Sequence, residues 1–219
     1  MKKELVIAAY DKDLSWVKSL NDDIKITIYR KGINNNDENE IFLEKNLGRC
    51  VHTFFNHILT NYNNLSDYTF FVQDYPFDHW ENVVDILNGD LDKISSNATL
   101  NFDGYFGFHF RTKGMWELSN TNHFKNGNVL TCQSNGYPQD PGRNIDVDRY
   151  WNILFDHPTP NIYEFIPGGH FGINKETVKV RSIEFYNKIV NLLESEYISP
   201  WIIERLECYI FDKNYKSKI

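Results

Sequence analysis

The chain is poor in basic charge. Its 219 residues carry 23 Lys and Arg against 30 Asp and Glu, a formal net charge of −7. A protein that grips a nucleic-acid groove needs a basic footprint, so that class is excluded. A metal-bridged nucleotide is not. Cysteine is scarce too: Cys50, Cys132 and Cys208 are odd in number, widely spaced and form no CxxC pair. The spacing excludes a zinc site and suits reduced thiols in a cytoplasmic setting. Long apolar runs are missing. The run that follows MKKE spans only about six residues, too short for a signal-peptide core or a membrane span. There is no internal repeat and no second core, and the only low-complexity tract is the Asn-rich loop 34–40. The length fits one domain able to bury a substantial core.

Aromatic residues are plentiful, with 13 Tyr, 16 Phe and 5 Trp, which excludes a disordered chain. They concentrate in Tyr68–Trp80, YTFFVQDYPFDHW. Tyr68–Val72 is a short apolar and β-branched run between the turn-prone 63–67 and the polar Gln73-Asp74, so it predicts a buried strand. From its carboxyl end leave Gln73, Asp74, Tyr75 and Pro76, then Asp78 and His79. In open α/β sheets the ligand crevice lies outside the carboxyl ends of the strands. Asp74, Asp78 and His79 there have the oxygen-plus-nitrogen character that suits Mn²⁺, with Mg²⁺ as the second choice, bridging a diphosphate. The plainer alternative is that Asp74 starts a turn before Pro76 and Asp78 caps the following helix.

The rest of the chain supplies the frame. Leu5–Ala9 predicts a strand, Leu14–Leu20 a short helix capped by Asp13, and Ile24–Tyr29 an alternating second strand, a β-α-β opening with parallel strands. Ala8 and Ala9 are small, so backbone there can approach a flat ligand, or simply let a helix pack. Val51, Phe54, Phe55, Ile58 and Leu59 keep helical spacing. Arg49 opens that helix, where anions collect, although a surface ion pair would use it equally well. His52 and His57, in the same helix, read as packing or hydrogen-bonding groups within the fold. Phe77–Leu87 predicts a helix, and Thr99–Phe110 one strand broken near Asp103-Gly104. The Gly-, Asn- and Pro-rich 111–143 predicts a long functional loop, and 146–155 a short helix. Tyr163–Ile166 predicts a strand. It leads into Pro167-Gly168-Gly169-His170-Phe171-Gly172-Ile173, whose glycines imply backbone that bends sharply or closely approaches a partner. Asn174 caps a short helix, 182–195 forms another, and Pro200 opens a last one.

In order, VIAAYDKDLSWV, ITIYRKG, NLGRCVHTFFNHIL and FFVQDYPFDHW resemble small GT-A-type glycosyltransferases, among them the domains that build chlorella-virus capsid glycans. Gln73, Pro76, Phe77 and His79 also match a "Gln-x-x-Pro-Phe-x-His" block of a broad uncharacterised family, and GGHFGI and ERLECYIF fit the same type. The resemblance covers nearly the whole chain. It implies a single α/β, Rossmann-type domain with a mixed, mainly parallel sheet and helices on both faces. Residues 1–95 would form its nucleotide-binding half and 96–219 its acceptor side. It implies a nucleotide-sugar donor, most often a UDP-sugar, held with Mn²⁺, and a glycan acceptor. Here the Asp-x-Asp-like site departs from the pattern, since Asp78 comes four residues after Asp74. Ala8, Ala9, Tyr10, Arg49, Gln73 and Tyr75 are expected on the donor, Gly168, Gly169 and His170 on the acceptor. Asp140 and Glu204, with Asp103, are the candidate bases, Glu204 otherwise pairing with Arg205. The same aromatics and glycines would serve a carbohydrate-binding module without turnover. Asp and His at strand ends would serve a metal-dependent phosphodiesterase.

Overall fold

A computed structural model of the chain describes residues 1–32, 37–109, 130–132, 143–145, 147–160 and 165–218. Its centre is a seven-stranded sheet. The strands are β1 (Lys3–Ala9), β2 (Ile24–Lys31), β3 (Glu40–Leu43), β4 (Tyr68–Gln73), β5 (Leu100–Phe102), β6 (Tyr105–Gly107) and, much later, β9 (Phe171–Asn174). Their order across the sheet is β3-β2-β1-β4-β9-β6-β5. The pairs β3–β2, β2–β1 and β1–β4 are parallel, whereas β9 runs antiparallel to both β4 and β6. A separate antiparallel pair joins β7 (Leu130–Cys132) to β8 (Arg143–Ile145). The three strands expected to be neighbours, β2, β1 and β4, are neighbours.

Alternation along the strands divides the core of the domain into two layers, one on each face of the sheet. Val6, Ala8 and Phe71 face one layer, made of α1 (Arg49–Thr60), α4 (Val147–Leu154), α6 (Ile183–Ser195) and α7 (Ser199–Phe211). Leu5, Ile7, Ala9, Phe70 and Val72 face the other, made of a 3-10 turn at Ser15–Ser19, α2 (Val83–Leu87) and α3 (Leu91–Asn97). Helices therefore cover both faces, and each fully buried large side chain contributes roughly 1.5–3 kcal/mol. Phe71 and Phe171 stack at 4.7 Å across the β4–β9 junction, a contact of about 0.5–1.5 kcal/mol beyond burial. Asn174 caps the short α5 (Lys175–Val178) by accepting from the Thr177 N–H, and Ser182 caps α6 by accepting from Phe185.

Four local expectations need correction. The 14–20 segment is a 3-10 turn, and Asp13 bonds the Ser15 N–H rather than capping an α-helix. The 77–87 segment is a 3-10 turn, Pro76–Asp78, followed by α2. Asp78 sits inside that turn and caps nothing. The helix is interrupted because Trp80 turns inward to lie flat on Phe108, 3.8 Å between ring centroids. The 99–110 segment is a hairpin of β5 and β6, with Asp103 and Gly104 at positive φ. GGHFGI supplies the central strand β9, where Gly172 is required because a Cβ would lie 2.4 Å from the Phe70 ring. Phe165 and Ile166 are in no strand, and 161–164 lie outside the described residues.

Candidate active site at the carboxyl edge of the sheet

The strand directions bring distant residues to one edge. β1 ends there at Ala9, β4 at Gln73 and β6 at Gly107, while β9 begins there and α1 starts beside it. Ala8 pairs with Gln73, and Phe71 with Phe171. The site predicted from Ala8–Tyr10, Gln73–His79 and Gly168–His170 is therefore contiguous.

On the side expected to take a donor, Asp74 organises the loop after β1. Its Oδ2 accepts the backbone N–H of Tyr10 at 2.9 Å, Asp11 at 3.2 Å and Lys12 at 3.1 Å. Its Oδ1 accepts the Tyr75 N–H at 3.1 Å, and its carbonyl accepts the Trp16 indole N–H at 3.0 Å. Tyr10 and Tyr75 remain about half exposed, at 53% and 51%, so both rings are open to stacking. Arg49 is exposed at the start of α1. It forms no ion pair among the described residues, and its guanidinium lies 5.0 Å from the Trp201 ring centroid. The helix start is drawn toward β2 by buried Lys31, whose Nζ donates to the Leu47 and Arg49 carbonyls at 2.6 Å each.

The expected metal ligands do not converge. Asp74 Oδ2 is taken up by three N–H donors. Asp78 accepts from the Gln73 amide at 3.2 Å, and its Oδ2 lies 3.7 Å from His79 Nε2. Among the described residues no three His, Cys, Asp or Glu side chains are arranged to hold a metal ion. Asp74, Asp78 and His79 thus offer Mn²⁺ no ready-made cage among the described residues.

On the side expected to take an acceptor, Gly168 and Gly169 both have positive φ, 87° and 61°. Gly168 packs on His79, where a Cβ would meet the ring at 2.7 Å. A Cβ at Gly169 would fit without a clash among the described residues, its nearest neighbours there being Glu204 Cγ and Glu207 Oε2, both at 3.9 Å. His170 is fully buried, with neither ring nitrogen hydrogen-bonded. Burial, reinforced by His79 and His109, holds its pKa down to about 3, so the ring is neutral. His79 gathers the trio, its ring centroid 5.6 Å from His109 and 5.5 Å from His170. Glu204 is half-buried and meets Gly169, so the candidate base and the glycine turn are neighbours. Arg205 donates instead to the Trp201 carbonyl and lies over Phe165. Asp103 pairs with Lys213 on an exposed surface. Asp140 lies outside the described residues.

Two residues were missed. His109 joins the trio only through the β6–β9 pairing, which sequence spacing does not reveal. Glu207 is 2% exposed, and Tyr105 donates to its Oε1 at 2.7 Å. A glutamate within the buried run Leu206–Phe211 was a signal of its own, since unpaired buried charge is costly. His57 is structural, as expected. It meets Tyr29 Oη at 3.0 Å and Glu4 at 3.7 Å under α1, and burial lowers its pKa to about 4. His52 likewise contacts Glu194 at 3.1 Å. No helix among the described residues is long and apolar enough to cross a membrane.

No curated protein and no solved structure matches the chain. A family model described as "Protein of unknown function (DUF3431)" matches residues 5–218, and the chain belongs to that family.

Proposed function

We propose that the protein transfers a sugar from a nucleotide-sugar donor, a UDP-sugar by expectation, to a hydroxyl of a glycan acceptor. The observation that carries this reading is the convergence on one sheet edge. An exposed Arg49 with no ion pair among the described residues and two open tyrosines lie on the donor side, and a two-glycine turn facing a pair of glutamates lies on the other. Arg49 offers a forked, charge-assisted contact to a diphosphate, joined by the N–H groups that open α1. Tyr10 and Tyr75 offer ring faces to base or sugar. In a direct displacement the acceptor oxygen bonds to the anomeric carbon, and the bond from that carbon to the diphosphate oxygen breaks. Glu204 takes the hydroxyl proton, and the electron pair leaves with the nucleoside diphosphate.

The test is calorimetric titration with UDP and a set of UDP-sugars, with and without Mn²⁺, followed by a donor-hydrolysis screen. UDP is expected to bind. Arg49→Ala should weaken it by about 1.5–3 kcal/mol, the scale of a charge-assisted hydrogen bond. A chain that binds no nucleotide under either condition refutes the reading. Glycan binding alone would then mark a carbohydrate-binding module.

A further inference from the structure

The feature left unexplained by the fold is Glu207. Its side chain is buried, and no described Lys or Arg forms an ion pair with it. A carboxylate there would be an uncompensated buried charge, which is strongly unfavourable, so the side chain is a neutral acid. Burial, with Glu204 one helical turn away, pushes its pKa well above the usual range, and the Tyr105 hydrogen bond only partly opposes this. Because Tyr105 donates to Oε1, the proton belongs on Oε2. That atom is buried and has no hydrogen-bond partner. An orphaned buried donor is destabilising. It lies beside Gly169, 3.9 Å from where a Cβ would stand, so a small group fits between them among the described residues. Gly168 and Glu204, on either side, are partly exposed.

We propose that Glu207 is a hydroxyl-recognition residue, its Oε2 contacting a sugar hydroxyl seated against Gly169 with Glu204 on the other side. Donor, room and acceptor then fit together. Oε2–H donates to the sugar oxygen, the sugar hydroxyl donates to the Glu204 carboxylate, and Tyr105 fixes the acid's orientation. A glycine is needed at 169 because any side chain would occupy the seat. This rests on the proposed function only for the ligand's class, a polyhydroxylated sugar.

The experiment is infrared difference spectroscopy of the full chain at pH 7, wild type minus Glu207→Gln, which isolates the carboxyl stretch of this one group. A protonated-acid band is expected, and a carboxylate band overturns the proposal. The methyl glycosides of glucose, galactose and mannose are then added in turn at high concentration. At least one should shift the acid band, and Gly169→Val should abolish that shift. Glu207→Gln, which keeps an N–H donor, should bind that glycoside within about threefold of wild type, and Glu207→Leu about five- to tenfold more weakly. A band that no glycoside moves means that a water alone satisfies Oε2, and the proposal fails. No nucleotide enters this assay. A glycoside-sensitive band in a protein that binds no UDP would sink the nucleotide-sugar reading and spare Glu207. UDP binding with an unresponsive band would do the reverse.

Discussion

His170 makes stability depend on pH in a window set by its burial. Its folded pKa is about 3 against an ordinary 6.5. The depressed value means that the unfolded chain binds the proton first. Stability is therefore full above pH 6.5 and is lost as pH falls toward the folded value. Between pH 7 and pH 5 the unfolded imidazole gains about 1.4 powers of ten in proton binding and the folded one almost nothing, so His170 alone removes about 2 kcal/mol. His57, buried and held to about 4, acts in the same direction. Glu4, whose pKa is lowered as its Lys25, Thr27 and Ser66 hydrogen bonds outweigh burial, loses its contribution only at more acid pH. The measurement is a double difference: urea unfolding of wild type and His170→Leu, each at pH 7 and pH 5. The variant should lose about 2 kcal/mol less than wild type between the two conditions. Whatever the substitution does to packing cancels in the subtraction. An equal loss in both proteins would show that His170 titrates like a solvated histidine and would refute its burial in the neutral form.

Three further outcomes follow from the geometry. Asp74→Ala strands four backbone N–H groups and should cost about 1.5–3 kcal/mol, with faster amide exchange at Tyr10, Asp11 and Lys12; unchanged exchange there would return Asp74 to a role in ligand binding alone. Gly172→Ala forces a methyl onto the Phe70 ring and should cost about 1–3 kcal/mol in denaturant unfolding, whereas a neutral result would mean that β9 does not cross β4 so closely. Ser182→Ala removes the α6 cap and should lower stability by about 1 kcal/mol, read from the urea midpoint.

Much of the frame was legible because its signals are local. The run Leu5–Ala9, the alternation Ile24–Tyr29 and the aromatic Tyr68–Val72 each fix a strand, and Asn174 and Ser182 announce their helices. What stayed hidden depends on distant partners. Phe171–Asn174 contains a glycine and follows two more, so it reads as loop; only the Phe70 ring beneath it explains why a strand needs Gly172. Trp80 breaks a helical pattern because Phe108 offers a stacking face. Asp74 was legible as important at a strand end, but sequence could not show that the β1 loop would claim its oxygens. The histidine trio joins residues 79, 109 and 170, and no spacing rule links them.

The insertion of β9 between β4 and β6 bears on biosynthesis. β4 ends at Gln73 and its second neighbour starts at Phe171, so the emerging amino-terminal half holds β4 as an open, apolar edge until the carboxyl-terminal third has been made. Such an edge invites pairing with other chains, and closure over so long a loop is intrinsically slow. The two halves of the chain are thus not separable modules: a fragment ending near residue 95 would keep its first four strands and lose the strand that completes them. Expression trials should show that fragment aggregating where the full chain remains dispersed.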